Sequence, residues 1–126
     1  KPLLQDPLFA TRLAKLEIDL ENMKTTNLRV IAAVAGGGVP GAESSMLKIR
    51  GTEIRQEMLS LMRRAMGPYA LPFIEDALHA DYNGSQVGPA EAKTAAAQYF
   101  NYRKLSIFGG SNEIQKNIIS KMILGL

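Results

Sequence analysis

At 126 residues, with 46% hydrophobic content and a formal net charge of +3, the chain can bury a single core and is too short for several. Zero cysteines exclude disulfides, thiolate metal sites and cysteine nucleophiles, and fit a reducing, cytoplasmic setting. No apolar run approaches the ~18 residues of a membrane span, and no basic run exceeds two residues, so neither a membrane span nor nucleic-acid binding is expected.

The amino terminus carries no signal-peptide core, and Lys1-Pro2 reads as a cut into a longer protein. A first helix is expected from Pro7, whose fixed φ suits a first helical position, with Asp6 as its cap. Phe9, Leu13, Leu16, Leu20, Met23, Val30 and Val34 recur at spacings of mostly four and three, with Asn27 as the polar interruption of the seam. Gly36-Gly37-Gly38 and Pro40 end it. A second helix is predicted from about Ala42 to Met66, with a seam of Leu47, Gly51, Ile54, Met58, Leu61 and Ala65. Gly51 on that seam suggests close approach of a neighbouring backbone.

Gly67-Pro68 stops the second helix, and residues 67–88 are irregular apart from a short helical turn around Phe73–Ala80. Pro89 opens a third helix, Ala90 to about Leu105, in which Ala92, Ala95, Ala96, Tyr99 and Tyr102 favour tight packing. A fourth runs from Asn112 to about Leu124 on Ile114, Ile118, Ile119, Met122 and Ile123. With no credible strand, the fold class predicted is all-α, an up-and-down four-helix bundle forming one domain over residues 1–126. Four antiparallel helices without other domains leave an apolar face uncovered, so self-association is expected.

Several motifs carry no chemistry. The glycine-rich 35–41 segment has no strand before it and no Gly-Lys-Ser/Thr after it, so it is a helix–helix turn rather than a phosphate loop. Asp81-Tyr82-Asn83-Gly84 lacks the spaced acids of a calcium loop. His79, the single histidine, has no ligand-spaced partners, and no metal is expected. Glu53, Arg55, Glu57, Arg63 and Arg64 have the spacing of solvated helical charge support.

Residues 107–119, Ile-Phe-Gly-Gly-Ser-Asn-Glu-Ile-Gln-Lys-Asn-Ile-Ile, are the most informative stretch. A double glycine feeds Ser111 and Asn112, either of which can cap the helix that follows. Backbone amides at such a start suit a phosphate, ribose or carbonyl oxygen. A tight capped turn with no ligand satisfies the same residues.

The wording of this stretch resembles the last-helix pattern of the acyl-CoA dehydrogenases, roughly Ile-Tyr-Glu-Gly-Thr-Ser/Asn-Glu/Gln-Ile-Gln-Arg. Phe108 stands at the Tyr, Gly110 at the Gly, Ser111 at the Thr and Glu113 at the Glu/Gln, with Ile114, Gln115 and Lys116 completing the match. Gly109 stands where many members carry the catalytic glutamate. At the other end, Pro2 to Phe9, Arg12-Leu13-Ala14 and Leu16-Glu17 are similar to the family's entry into its carboxy-terminal helical domain.

The resemblance implies a carboxy-terminal domain belonging to a larger, FAD-dependent flavoprotein of fatty acid metabolism, which oxidises the α,β bond of acyl-CoA thioesters. It implies that Gly110, Ser111 and Glu113 contact FAD, that Phe108 lines the acyl pocket, and that the Gly109 amide binds the thioester carbonyl. No residue of this chain is then the catalytic base, which is expected on the helix preceding residue 1, as in the isovaleryl and long-chain branches. The isolated chain is expected to be inactive and to retain no flavin. The partners implied are acyl-CoA, a homo- or hetero-oligomer, and an electron-transferring flavoprotein as acceptor. Gly67-Pro68-Tyr69-Ala70 corresponds to a Gln-x-x-Gly-Gly-x-Gly segment that meets a neighbouring subunit's flavin, with Arg64 at the Gln and with Pro68 and Ala70 replacing two glycines. The alternatives are a non-catalytic subunit with a degenerate flavin site in a heteromeric dehydrogenase, and an unrelated helical interaction module.

Overall fold

The computed structural model describes residues 2–85 and 87–126, and every regular element among them is helical. Helix α1 spans Pro7–Ala35, α2 Glu43–Met66, α3 Ala95–Asn101 and α4 Asn112–Ile119. The fold is all-α with four helices, as the periodicity predicts.

Helix α1 starts where expected. The Asp6 carboxylate accepts from the amides of Leu8 at 2.9 Å and Phe9 at 3.2 Å, which satisfies two of the donors that a helix start leaves open. It ends at the glycines: Gly36 donates to Ala32 O and Gly38 to Ala33 O, and Gly37 sits at φ 90°. A Cβ on Gly38 would lie 2.8 Å from Ala33 O, so this turn needs glycine there.

Helix α2 is the hub, with α1 on one side and α3 and α4 on the other. Its α1 side carries the predicted seam: Leu47 lies by Met23, Ile54 by Leu16, and Leu61 by Phe9. Two seam residues depart. Met58 is exposed, and Gly51 faces the flexible Met23 side chain rather than backbone, its would-be Cβ lying 3.5 Å from Met23 Sδ. On α1 the half-buried positions are Phe9, Ala10, Leu13, Leu16, Asp19, Met23, Thr26 and Val30, whereas Leu20, Asn27 and Val34 are exposed. Polar residues take the buried register because their groups are satisfied there. Asp19 receives Arg50 at 2.8 Å, and the Thr26 hydroxyl donates to Asn22 O at 2.9 Å.

A second buried stripe, Ser45, Ile49, Thr52 and Leu59, faces the other side of α2. Of its polar members, Thr52 reaches backbone carbonyls. Thr52 Oγ1 donates to Lys48 O at 2.9 Å and to Leu105 O at 3.3 Å, and Gln56 beside it donates to the carbonyls of Tyr102 and Arg103. That claim on the carbonyls goes with a tighter winding of the third helical segment. The segment is α-helical only over Ala95–Asn101, between 3₁₀ turns at Ala90–Thr94 and Tyr102–Ser106. Ala92, Ala95 and Ala96 are buried as expected. The helical turn expected around Phe73–Ala80 is a 3₁₀ turn at Asp76–Leu78, and α4 continues as a π-helical turn over Ser120–Leu124.

Candidate functional site

The Tyr102–Ser106 turn delivers the chain to the α4 start with Ile107 and Phe108 both donating to Lys104 O, at 2.9 and 3.2 Å. Gly109 and Gly110 then sit at φ 71° and 81°, the left-handed region that costs a side chain about 1–2 kcal/mol. Two successive residues of this kind turn the chain into α4. Neither glycine amide donates a hydrogen bond to a described residue.

Ser111 is the cap: its Oγ accepts from Ile114 N at 3.3 Å. The Glu113 carboxylate is exposed, and its pKa is held below the ordinary 4.5, chiefly by its own backbone amide and then by the Ser111 hydroxyl. Desolvation opposes these, and Lys116 and Lys48 add smaller contributions to the lowering. Phe108 is 53% exposed beside this start. The structure therefore brings the predicted residues Phe108, Gly109, Gly110, Ser111 and Glu113 to one helix entry, with two free amides and an ionised carboxylate, and with the Ser111 hydroxyl engaged by Ile114 N and Glu113.

Two residues that hold this entry in place carry no role in the sequence reading. Gln115 Nε2 donates to Gly109 O at 3.0 Å and so fixes the peptide that the two glycines share. Lys48 Nζ donates to Asn112 Oδ1 at 3.0 Å, tying the first residue of α4 to α2. Gln115 could have been read from its place four residues beyond the cap, but Lys48 could not, because the link spans 64 residues.

The Gly67–Ala70 segment is a 3₁₀ turn that packs on the end of α2 and on the Ala90–Thr94 turn, with Gly67 at φ 55°. The larger concavities lie away from the α4 entry. One groove of about 360 Å³ between α1 and α2 is lined by Arg12, Lys15, Asp19, Arg50, Glu53 and Glu57. Its charges are largely paired, Arg50 with Asp19 and Glu53, and Arg12 with Glu57 at 3.8 Å. Another of about 560 Å³ lies at the α1–α2 connection beside Val34, Val39 and Met46. Among the described residues no group of acids and His79 could hold a metal, and no helix is long and apolar enough to cross a membrane.

A family model described as acyl-CoA dehydrogenase, C-terminal domain, matches residues 1–124. No curated protein and no solved structure matches the chain.

Proposed function

We propose a function from one premise: this chain belongs to the acyl-CoA dehydrogenase family, through its carboxy-terminal domain. The parent protein would be an FAD-dependent oxidoreductase acting on the α,β bond of acyl-CoA thioesters, and this domain would contribute part of its flavin and substrate site together with oligomer contacts. The observation that carries the reading is the α4 entry, where two unpartnered amides, a hydroxyl and an ionised carboxylate lie on five consecutive residues.

These groups fit a nucleotide cofactor. A helix start favours anionic and hydroxylic oxygens; Gly110 supplies an amide donor, Ser111 caps the helix and holds the Glu113 carboxylate beside the cofactor, and Glu113, held ionised, is an acceptor for a ribose or neighbouring hydroxyl. When bound, FAD supplies the acceptor for the hydride that leaves the β carbon. The Gly109 amide acts on the substrate instead. By donating to the thioester carbonyl it stabilises enolate character at the α carbon and so acidifies the α proton. Gln115 supports this by holding the Gly109 carbonyl in place. Phe108, more than half exposed, offers its ring to the acyl chain.

Glu113 is a poor candidate for the base that takes the α proton. A carboxylate whose pKa is lowered binds protons less readily than an ordinary one, and general-base catalysis favours a pKa raised toward the working pH. Gly109 has no side chain to offer. The base is therefore assigned to another part of the parent protein, and electron-transferring flavoprotein is its expected acceptor by family analogy.

The test uses the full-length parent in single turnover, following the loss of flavin absorbance on mixing with acyl-CoA. Glu113→Gln should weaken flavin retention while the bleaching rate of flavin-loaded enzyme stays within about tenfold. Loss of a positioned base costs about 10²–10⁴ in rate. If Glu113→Gln abolishes bleaching while flavin remains bound, the base lies in this domain and the assignment of Glu113 to the cofactor is wrong.

A further inference from the structure

Lys48, Thr52 and Gln56 recur at every fourth residue of α2 and so lie along one face of it. Thr52 is buried and the other two are half-buried. All three reach the segment that carries the α4 entry, and they reach it on opposite sides of the Phe108–Gly110 turn.

Upstream of the turn, Gln56 Nε2 donates to the carbonyls of Tyr102 at 3.3 Å and Arg103 at 3.2 Å. The Arg103 guanidinium donates in return to Gln56 O at 3.2 Å. These bonds hold the 3₁₀ turn Tyr102–Ser106, whose Lys104 carbonyl accepts the amides of Ile107 and Phe108. Phe108 thus hangs from a turn that Gln56 fixes. Thr52 adds a weaker hold, since its one hydroxyl hydrogen is shared between Lys48 O at 2.9 Å and Leu105 O at 3.3 Å. Downstream, Lys48 Nζ donates to Asn112 Oδ1 at 3.0 Å, between the Ser111 cap and Glu113. Its charge also contributes to the lowered pKa of Glu113.

The links from Gln56 and Lys48 span 46 to 64 residues. Bonds within the entry, Ser111 with Ile114 and Gln115 with Gly109, fix its shape, whereas those from α2 fix where it stands. The two anchors meet at the Cα of Gly109. The Gly109 amide belongs to the peptide it shares with Phe108, on the side that Gln56 anchors. The Gly110 amide belongs to the next peptide, whose carbonyl Gln115 ties to α4, on the side that Lys48 anchors. Glycine backbone rotates more freely than any other, so losing one anchor displaces its own side more than the other.

We infer, on the reading of the α4 entry given above, that Gln56 and Lys48 are positioning residues with divided tasks. Gln56 sets the Phe108–Gly109 side that meets the acyl-CoA thioester, and Lys48 sets the Gly110–Glu113 side that meets FAD.

The test uses the full-length parent, with FAD titrated into apoprotein and with bleaching by acyl-CoA followed in single turnover. Bleaching is expressed per bound flavin, so unfolded protein does not enter the rate. Lys48→Met keeps the length of the side chain without its charge or donor. It should weaken FAD binding about tenfold, the scale of one bond to a charged group, and change bleaching less than about threefold. Asn112→Ala removes the same bond from its other end and should do likewise, and the double variant should bind FAD within about twofold of either single one. Gln56→Met should slow bleaching about tenfold, because misplacing a group at the reacting centre by about 1 Å costs up to about 10² in rate. Its FAD affinity should stay within about threefold of wild type. A purely structural role would move both readouts together or neither, and either result, or the reversed pattern, overturns the inference. A wild-type parent that binds no FAD overturns the reading of the α4 entry and this inference with it. A wild type that binds FAD and bleaches, beside variants that miss the pattern, overturns this inference alone.

Discussion

The starts of α1 and α4 are built from the same chemistry and held in different ways. At α1 the Asp6 carboxylate accepts two amides, from Leu8 and Phe9, and Pro7 has no amide to satisfy, so the start is complete within four consecutive residues. At α4 the Ser111 hydroxyl accepts one amide at 3.3 Å, and the rest of the support comes from Gln115 on the Gly109 carbonyl and from Lys48 on Asn112. A helix start that caps itself needs nothing from the fold and offers nothing to a ligand. The α4 entry, held partly by Lys48 from α2, leaves free the amides of Gly109 and Gly110, which lie just before its Ser111 cap.

The largest expected effect comes from filling the α4 turn. Gly110→Ala adds a Cβ about 2.5 Å from Gln115 Nε2 at a φ of 81°. The left-handed backbone costs a side chain about 1 kcal/mol, and displacing Gln115 removes a bond worth about 1 kcal/mol. A loss near 2 kcal/mol is expected in urea unfolding. Gly109→Ala meets the same backbone strain in open space, with nothing within 4 Å of the new Cβ, so it should cost about 1 kcal/mol. Equal losses for the two would show that Gln115 does not hold the turn.

Next in size is the cap of α1. Asp6→Ala removes the acceptor of two amides and should cost about 1–2 kcal/mol. Ser111→Ala should cost about 0.5 kcal/mol, because one long bond is lost and the ties from Gln115 and Lys48 remain. Adding Lys48→Met to Ser111→Ala should then cost more than the two changes taken singly, by about 0.5 kcal/mol or more, as expected of residues sharing one structural element. Strict additivity in that double-mutant cycle would mean that the two helix starts are held alike.

The same contrast explains what the sequence made legible. The bounds of α1 and α2 were readable because Asp6-Pro7, Gly36–Gly38 and Gly67 act through neighbours a few residues away. The second buried stripe of α2 was not, because the polar Thr52 and Gln56 have no local reason to be covered until the carbonyls of Tyr102, Arg103 and Leu105 are known to lie opposite. The breakup of the third helix into 3₁₀ and α segments was hidden for the same reason. At the α4 entry the motif residues were legible, and the tether from Lys48 was not. Gly51 shows the converse error, a glycine given a packing reason that the fold does not supply. With only Met23 Sδ at 3.5 Å, Gly51→Ala should fit and stabilise the chain by up to about 1 kcal/mol. A destabilisation measured in the same urea experiment would restore the close-approach reading.

The smallest effect concerns protons. Glu113 has its pKa below 4.5, with its own backbone amide the first cause and the Ser111 hydroxyl the second. A carboxylate whose pKa falls on folding stabilises the fold above its unfolded pKa, and that contribution disappears as pH drops through the folded value. The α4 entry should therefore lose support on acidification into the range just below 4.5. Ser111→Ala should move the Glu113 titration back toward that ordinary value, but only part of the way, since the backbone amide remains. Carbon-13 chemical shifts of the Glu113 carboxylate, followed between neutral and acid pH in both proteins, read this directly. An unchanged midpoint would mean that the Ser111 hydroxyl is directed elsewhere, and Glu113 would then be held ionised by the helix start alone. A midpoint that rises fully to the ordinary value would make Ser111 the dominant partner. In either case the carboxylate stays ionised at neutral pH, as an acceptor of a ligand hydroxyl must.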